Sequence, residues 1–316
     1  MNKIPVTILV PTLNAGENLN RLLDSVQPYF EDIFVVDSRS TDNTVDICLA
    51  RGVKIVQRPF DTHSKTYDFL MHRLPIKTPW IFMLDHDEEI SEGLRLAIGK
   101  VLAEGTAYNG FYVRWRLWFM GHGLHAAPWS PRLMRTECAD VTDVACNEHF
   151  FLKNGEWGYI DACVEHHDIP TLWHWYEKQN LYTTREAIGI VKGTARTEKP
   201  RLFGNKNERN HWFAIVLPKL PLGLGYLLMF LGYYFKFGAW KDGAVGYYWA
   251  KCRVWVQWVT FFKVKEIRRT GVIPKMPDSR HGEFDRRVME SELEKQLLPD
   301  VVAEWCIKES KNDKVS

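Results

Sequence analysis

Short apolar runs alternate with stretches of helical periodicity between residues 4 and 104, and this alternation constrains the fold more than any other feature. Buried strands are predicted at 4–10, 32–37, 53–58 and 80–85. Between the first two runs, Leu19, Leu22, Leu23 and Val26 recur at the spacing of one helix face. Strands that alternate with helices form βαβ units, so the order predicts an α/β fold with a mainly parallel sheet.

Polar clusters follow three of the predicted strands, at 11–18, 37–44 and 85–89. In open parallel sheets, ligands bind beyond the carboxyl ends of the strands. We therefore expect the three clusters to converge on one site. Neither GxGxxG nor GxxxxGK[ST] follows the first strand, so the dinucleotide and P-loop fingerprints are missing.

The third cluster ends the stretch "WIFMLDHDEE" with two aspartates that one residue separates, Asp85 and Asp87. Such a pair can bring both carboxylates near one divalent ion or its ligands. Mg²⁺ and Mn²⁺ prefer oxygen ligands and often share them with a substrate phosphate. A solvated acidic turn before a helix is the alternative, because Asp and Glu also favour helix N-termini. The motif alone leaves both interpretations open.

Charge and cysteine content exclude several classes of protein. The net charge is only +2, so we expect no nucleic-acid partner. The six cysteines are scattered and form no CxxC pair, which argues against a disulfide framework or a zinc site and fits a reducing compartment. The apolar part of the N-terminus is too short for a signal peptide, so a cytosolic catalytic part is expected.

Three segments, "ILVPTLNAGENLNRLLDSV", "DIFVVDSRSTDNTVDI" and "WIFMLDHDEEIS", resemble in order and spacing the signature segments of family 2 glycosyltransferases. A weaker resemblance, to bacterial transferases that build lipopolysaccharide core or exopolysaccharide units, continues in "NEHFFLKNGEWGYIDACVEHHD" and "WHWYEKQNLYTTREA". The resemblance implies a GT-A fold, which is Rossmann-like, a nucleotide-sugar donor and Mg²⁺ or Mn²⁺ as cofactor.

The resemblance also implies roles for individual residues. Those that border the nucleotide would be Pro11, Asn14, Glu17, Asp37, Ser38, Asp42 and Asp85. Asp37 would accept a hydrogen bond from the base, Asp85 would contact the ribose or diphosphate, and Asp87 would ligate the metal. Two alternatives remain: Asp37 or Asp42 could cap the following helix, and Asn14 could be an ordinary turn residue.

An inverting transfer also needs a base that takes a proton from the acceptor hydroxyl. Glu148 resembles the general base of the family, with Asp143 and Glu165 as fallback bases and a salt-bridged surface Glu as the alternative. His166 is a candidate to complete the metal sphere, as is His167, although a lone His is more often structural. The QxxRW motif of processive synthases is absent, which favours the addition of one sugar per encounter.

Residues 201–275 hold thirteen Lys and Arg against three Asp and Glu, so this region carries a net charge of +10. Its apolar run at 220–235 is shorter than the roughly 20 residues of a spanning helix. Aromatic residues favour the membrane interface and cations favour an anionic leaflet, so two interfacial helices in the cytoplasmic leaflet are predicted. The alternative is a buried helical pair, for example at a dimer interface.

The chain is predicted to divide at residues 105, 200 and 275. The segments are a nucleotide-sugar-binding half (1–105), an acceptor-binding and catalytic half (106–200), membrane-associating helices (201–275) and a helical tail (276–316). The predicted function is inverting, metal-dependent transfer of one sugar from a UDP-linked donor to a lipid-linked or lipopolysaccharide acceptor at the cytoplasmic face of the bacterial inner membrane. The alternatives are a sugar-nucleotide pyrophosphorylase and a non-catalytic, membrane-bound sugar-nucleotide-binding protein.

Overall fold

The computed structural model describes residues 3–142, 149–167, 171–193, 223–276 and 282–297, with scattered residues between 201 and 221. The chain forms two compact units. The sheet unit comprises Met1–Trp115, Pro128–His166 and Ser279–Ser316, and the helical unit comprises Arg116–Ala127 and His167–Asp278. These boundaries differ from those predicted at 105, 200 and 275, and the functional roles assigned to the predicted segments stay predictions.

Eleven strands are found in the described part of the chain. They are β1 (Ile4–Thr12), β2 (Phe30–Asp37), β3 (Lys54–Gln57), β4 (Trp80–Met83), β5 (Glu88–Ile90), β6 (Gly110–Phe119), β7 (His122–Gly123), β8 (Trp129–Arg135), β9 (Ala139–Val141), β10 (Phe150–Leu152) and β11 (Trp157–His166). The helices are α1 (Leu19–Val26), α2 (Thr44–Ala50), α3 (His63–His72), α4 (Glu92–Glu104), α5 (Leu172–Lys192), α6 (Leu224–Leu231), α7 (Gly243–Thr270) and α8 (Arg286–Met289).

The main sheet is mixed, with the strand order β3-β2-β1-β4-β8-β6-β11-β5, and β7 pairs with β6. Strands β1 to β4 are parallel, as predicted. Strand β8 then pairs antiparallel with both β4 and β6, and β11 pairs antiparallel with β5. The expectation of a mainly parallel sheet therefore holds only for the first four strands. Parallel pairs need crossover segments, whereas β6 and β8 are joined by a short connection that suits antiparallel pairing.

Strand β1 is buried on both faces, which explains its continuous apolar run. Val6, Ile8 and Val10 belong to the core cluster that contains the buried leucines of α1. Leu9 points to the opposite face and belongs to the cluster that contains Leu70 of α3. The alternation follows from the two-residue period of a strand, and α1 and α3 therefore cover opposite faces of the sheet.

The helical unit is built around α5 and α7. Trp175 of α5 packs with Cys252 and Val256 of α7 in one apolar cluster, and Ala187 packs with Val264 in a second. A π-helical turn, Gly232–Lys236, and a 3₁₀ turn, Ala239–Asp242, connect α6 to α7. Within the part of the chain that the structure describes, no helix combines the length and the apolar character that crossing a membrane requires.

Candidate active site

The loops after β1 and β2 are joined side by side at the carboxyl edge of the sheet. Asn14 donates its backbone N–H to Ser40 Oγ at 2.7 Å, and its side-chain oxygen accepts the N–H of Thr41 at 2.8 Å. The Gly16 N–H donates to Asp42 Oδ2 at 2.8 Å. Residues of the first two predicted clusters therefore lie together, as the sheet topology requires.

Asp42 connects this loop pair to the start of α2. Its Oδ1 accepts the backbone N–H of Thr44 at 3.0 Å and the Thr44 hydroxyl at 2.5 Å. Partial burial acts to raise the pKa of Asp42, but hydrogen bonds from Thr44 and Gly16 outweigh it and hold that pKa below its usual value. Asp42 thus accepts the N–H of the first residue of α2, although the N-cap of that helix is Asn43, and the contact of Asp42 with a nucleotide stays a prediction.

The Asp37 carboxylate has no exposed surface and accepts four hydrogen bonds from described residues. Oδ1 accepts from the hydroxyls of Thr12 at 3.1 Å and Ser40 at 2.5 Å. Oδ2 accepts from the Ser40 N–H at 2.9 Å and from Gln57 Nε2 at 2.8 Å. Asp37 therefore ties together the ends of β1, β2 and β3. A nucleotide base can bind this carboxylate only by replacing one of the four donors.

The other residues expected to border the nucleotide differ in their exposure. Ser38 is buried beside Asp37, whereas Glu17 is exposed on the loop after β1. Pro11 lies within β1 and not in the following loop, which corrects the prediction. Its ring nitrogen is on the β4 side of the strand, where pairing has already ended at Leu9. The missing N–H therefore breaks no ladder hydrogen bond.

Glu88 is the centre of a buried polar network at the end of β4. Its Oε1 accepts from Arg132 Nη2 and from Trp115 Nε1, each at 2.6 Å, and its Oε2 accepts the Asp85 N–H at 2.9 Å. Burial raises the pKa of Glu88 to about 7, against the opposing effect of Arg132. Sequence reasoning did not assign a role to Glu88, Arg132 or Trp115.

Asp85 lies between a phenol and a guanidinium. Tyr67 donates its hydroxyl to Oδ1 at 3.0 Å, and Arg132 Nη2 lies 3.4 Å from Oδ2. Burial acts to lower the pKa of Arg132, but the neighbouring carboxylates of Glu88 and Asp85 raise it further than burial lowers it. The guanidinium is therefore a fixed positive charge. No spacing rule links the segment "WSPRLMR" to Asp85, which explains why the sequence did not reveal Arg132.

Asp87 and His166 lie together, although 79 positions separate them in the chain. His166 Nδ1 is 3.3 Å from Asp87 Oδ1 and 3.8 Å from Glu88 Oε1. The antiparallel pairing of β5 with β11 sets Glu88 opposite His166 and so accounts for this proximity. One carboxylate oxygen and one imidazole nitrogen form a donor set that Mn²⁺ accepts, so the residues fit an ion whose remaining ligands are phosphate and water.

Two cavities in the sheet unit share the Asp85–Arg132 pair and Ser130. The first, of about 240 Å³, is lined by Asp85, Trp115, Pro128, Trp129, Ser130 and Arg132. The second, of about 230 Å³, is lined by Tyr67, Asp85, Ser130, Pro131, Arg132, His149 and Phe150. The Asp85 carboxyl and the Arg132 guanidinium therefore line space that can admit a ligand.

One of the three candidate bases, Glu165, lies among the residues that the structure describes. Glu148 and Asp143 lie outside the described residues. Glu165 is buried in β11 and pairs across the strands with Glu89. His167, the alternative metal ligand, stacks on Trp118 at 4.7 Å between ring centroids and belongs to the helical unit.

A second group of possible metal ligands lies elsewhere in the sheet unit. Asp68 and His72 of α3 and Asp140 of β9 bring their ligand atoms within 4.8 Å of one another. The group is largely exposed, and Lys153 Nζ lies 3.6 Å from Asp140. A cation beside the carboxylate disfavours a metal ion there, so this group is a surface ion-pair network.

Comparison with known proteins gives the family. The model of the family described as "Glycosyl transferase family 2" matches residues 7–152. The uncharacterized glycosyltransferase RC0292 of Rickettsia conorii is 31% identical over 76% of this chain and 83% of its own length. The uncharacterized glycosyltransferase RT0209 of Rickettsia typhi is 30% identical over 67% of this chain and 75% of its own length. The chain belongs to glycosyltransferase family 2.

Other matches to curated sequences cover less of each protein. Uncharacterized glycosyltransferases of Rickettsia bellii and Rickettsia felis are matched over only 33% and 35% of their lengths. The lipopolysaccharide core biosynthesis glycosyltransferase LpsC of Rhizobium meliloti is 27% identical over 38% of this chain and 46% of its own length. Among solved structures, Staphylococcus aureus TarS 1–349 is 14% identical, and the match covers 89% of this chain and 99% of the TarS chain. Its TM-score is 0.41, a likeness too distant to bear on the site.

Proposed function

We propose that this family 2 glycosyltransferase moves a single sugar, with inversion, from a UDP-linked donor to a lipid-linked glycan of the lipopolysaccharide or exopolysaccharide type. The observation that carries the proposal is the pairing of Asp87 with His166 beside the Asp85–Arg132 pair, at the carboxyl end of β4. This arrangement offers metal ligands and a fixed cation next to a cavity, which is what a diphosphate leaving group requires.

In this proposal Asp87 and His166 hold Mg²⁺ or Mn²⁺, which, when bound, neutralises charge on the departing diphosphate. Arg132 adds a positive charge that does not depend on pH, and Glu88 fixes the orientation of its guanidinium. Asp85 holds the ribose or the diphosphate, with one of its oxygens oriented by the Tyr67 hydroxyl. The nucleotide end of the site is formed by the loops after β1 and β2, with Pro11, Asn14, Glu17, Asp37, Ser38 and Asp42.

Glu148 is proposed as the base that removes the proton of the acceptor hydroxyl. It directly precedes His149, which lines the second cavity together with Asp85. The chain on either side of segment 143–148 is also held together. The Thr142 N–H donates to the His149 carbonyl at 3.0 Å, and the His149 N–H donates to Thr142 Oγ1 at 2.9 Å. These contacts support a base supplied from this segment.

The helical unit supports a lipid-linked acceptor at the cytoplasmic face of the inner membrane. Large apolar side chains are exposed on α6 and on the turns that follow it: Leu224, Tyr226, Leu227, Leu228, Leu231, Phe235, Phe237 and Trp240. Lys236 and Lys241 are exposed in the same turns. Exposed aromatics with interspersed cations suit an anionic leaflet. The similarity to LpsC further supports an acceptor of the cell envelope.

A donor screen tests this function. Nucleotide release is measured from UDP-, GDP- and ADP-linked sugars, with Mn²⁺ or Mg²⁺, in the presence and absence of detergent-solubilised bacterial membrane lipids. We expect release that depends on both the metal and the lipids. Glu148→Gln should abolish transfer while nucleotide affinity stays nearly unchanged, because only the proton acceptor is lost. Wild-type turnover by Glu148→Gln would refute the base assignment, and metal-independent release would refute the metal role.

A further inference from the structure

The C-terminal segment 282–297, here called the strap, lies against the carboxyl ends of β2 and β3. The Gly282 N–H donates to the Arg39 carbonyl in the loop after β2 at 2.7 Å. The Asp285 N–H donates to the side-chain oxygen of Gln57, the last residue of β3, at 2.6 Å. The strap therefore reaches the edge of the sheet that carries Asp37.

The strap is firmly packed in the sheet unit. Val288 is fully buried in the core that contains β1 and α1. Glu294 is 1% exposed, and its Oε1 accepts the backbone N–H of Gln57 at 2.7 Å. At Gly282, an added Cβ would lie 3.1 Å from Thr41 Cγ2 and 3.2 Å from the Arg39 carbonyl oxygen, so the strap is in close contact with the loop after β2.

Gln57 connects the strap to Asp37. Its side chain is completely buried, with Nε2 donating to Asp37 Oδ2 and Oε1 accepting from the Asp285 N–H. Both ends of the amide are thus in use. If the amide turns away from Asp37, it must also break its hydrogen bond to the strap, because the two ends rotate as one planar group.

We propose that the docked strap closes the base end of the nucleotide site, with Gln57 as the positioning residue that couples strap docking to the Asp37 carboxylate. The proposal rests on the function proposed above, in which Asp37 accepts a hydrogen bond from the pyrimidine base. In this proposal the base replaces Gln57, one of the four donors to the Asp37 carboxylate, and the strap holds that donor in position. Nucleotide binding and strap docking therefore oppose each other, and linkage requires that each weakens the other by the same factor.

Asp285 offers a matched pair of variants. Its φ of −76° is compatible with proline, which has no N–H to donate to Gln57. Asp285→Ala keeps this N–H but loses the hydrogen bonds that the Asp285 carboxylate accepts from Arg287, which Asp285→Pro also loses. The difference between the two variants therefore isolates the hydrogen bond to Gln57.

Calorimetric titration of the full chain with UDP and Mn²⁺ measures the coupling. We expect Asp285→Pro to bind UDP roughly three- to tenfold more tightly than Asp285→Ala, the range expected for one buried hydrogen bond. Hydrogen exchange of wild-type strap amides should also become faster when UDP is saturating. Should Asp285→Pro fail to fold, Glu294→Ala and Glu294→Gln form a second matched pair. Only the alanine variant removes the side-chain oxygen that accepts the Gln57 backbone N–H. Glu294→Ala should then bind UDP more tightly than Glu294→Gln.

Three results would overturn the proposal in distinguishable ways. Equal or weaker UDP binding by the proline variant, or by Glu294→Ala in the second pair, contradicts the coupling alone. Slower hydrogen exchange of the strap amides in the presence of UDP would mean that the docked strap helps to bind the nucleotide and does not block its site. Failure of wild type and all variants to bind UDP, GDP or ADP with Mn²⁺ contradicts the proposed function itself, and the coupling with it.

Discussion

Replacing Arg132 by methionine tests the buried network that supports the candidate site. The substitution keeps an unbranched apolar stem but removes the donor at 2.6 Å from Glu88 Oε1. Glu88 is 1% exposed, so its carboxylate cannot recover the lost interaction from water. Breaking a buried ion pair by removing one partner costs about 3–5 kcal/mol. Because Trp115 and the Asp85 N–H still donate to Glu88, we expect a value of about 3 kcal/mol.

The assay is equilibrium urea unfolding of the wild type, Arg132→Met, Glu88→Gln and the double variant. The double variant removes both charges, so its destabilisation should be less than the sum of the single effects by about 2 kcal/mol. Lys100→Met is the matched control, because its 4.0 Å ion pair with Glu104 is exposed and should contribute less than about 1 kcal/mol. Additive effects of Arg132→Met and Glu88→Gln, or equal effects of Arg132→Met and Lys100→Met, would refute the reasoning.

Three further predictions concern the strap, the metal and the membrane. Burial raises the pKa of Glu294 to about 7, so its contribution to stability is present below the unfolded-state pKa of about 4.5 and is lost as pH rises through 7. In urea unfolding, the free energy of unfolding of Glu294→Gln should therefore increase relative to that of the wild type between pH 5 and pH 8. A difference that does not change with pH would contradict this. His166→Gln should raise the Mn²⁺ concentration needed for half-maximal UDP binding at least about tenfold, because loss of a residue that only orients a metal ligand already weakens metal binding by about 10- to 100-fold. The exposed His174→Gln should leave that concentration unchanged. The double variant Phe235→Ser, Trp240→Ser should co-sediment with vesicles of anionic lipid at least about fivefold more weakly than the wild type. Both side chains are more than half exposed, and their apolar area would otherwise be buried in lipid. Unchanged co-sedimentation would favour a protein partner for this surface.

The sequence predicted well those parts of the molecule that depend on local periodicity. The helix face predicted from Leu19, Leu22, Leu23 and Val26 is the buried face of α1, and the four predicted strands correspond to β1 to β4. Local rules also indicated that Asp85 and Asp87 end a buried strand. They could not show that the strand order places β8 next to β4, because this antiparallel pairing joins residues about fifty positions apart, with α4 and strands β5 to β7 between them in the chain.

The side chains that sequence reasoning missed act through contacts between distant segments. Arg132 reaches Glu88 across 44 positions, and the strap reaches Gln57 across 237. An arginine in an apolar strand and a glutamine at a strand end are both ordinary residues until tertiary contacts bury them. By contrast, His166 was a predicted metal ligand because it and His167 form two adjacent histidines before Asp168, and the structure sets it 3.3 Å from Asp87. Its role as a ligand stays a prediction.

The measurement that tests the central claim most directly is calorimetric titration of EDTA-stripped protein with UDP, before and after Mn²⁺ is added back. The account holds that a cation at Asp87 binds the diphosphate, so UDP should bind measurably only with Mn²⁺, and Asp87→Asn should remove this dependence together with most of the affinity. Equal UDP affinity with and without the cation, or an unchanged Mn²⁺ dependence in Asp87→Asn, would contradict the account.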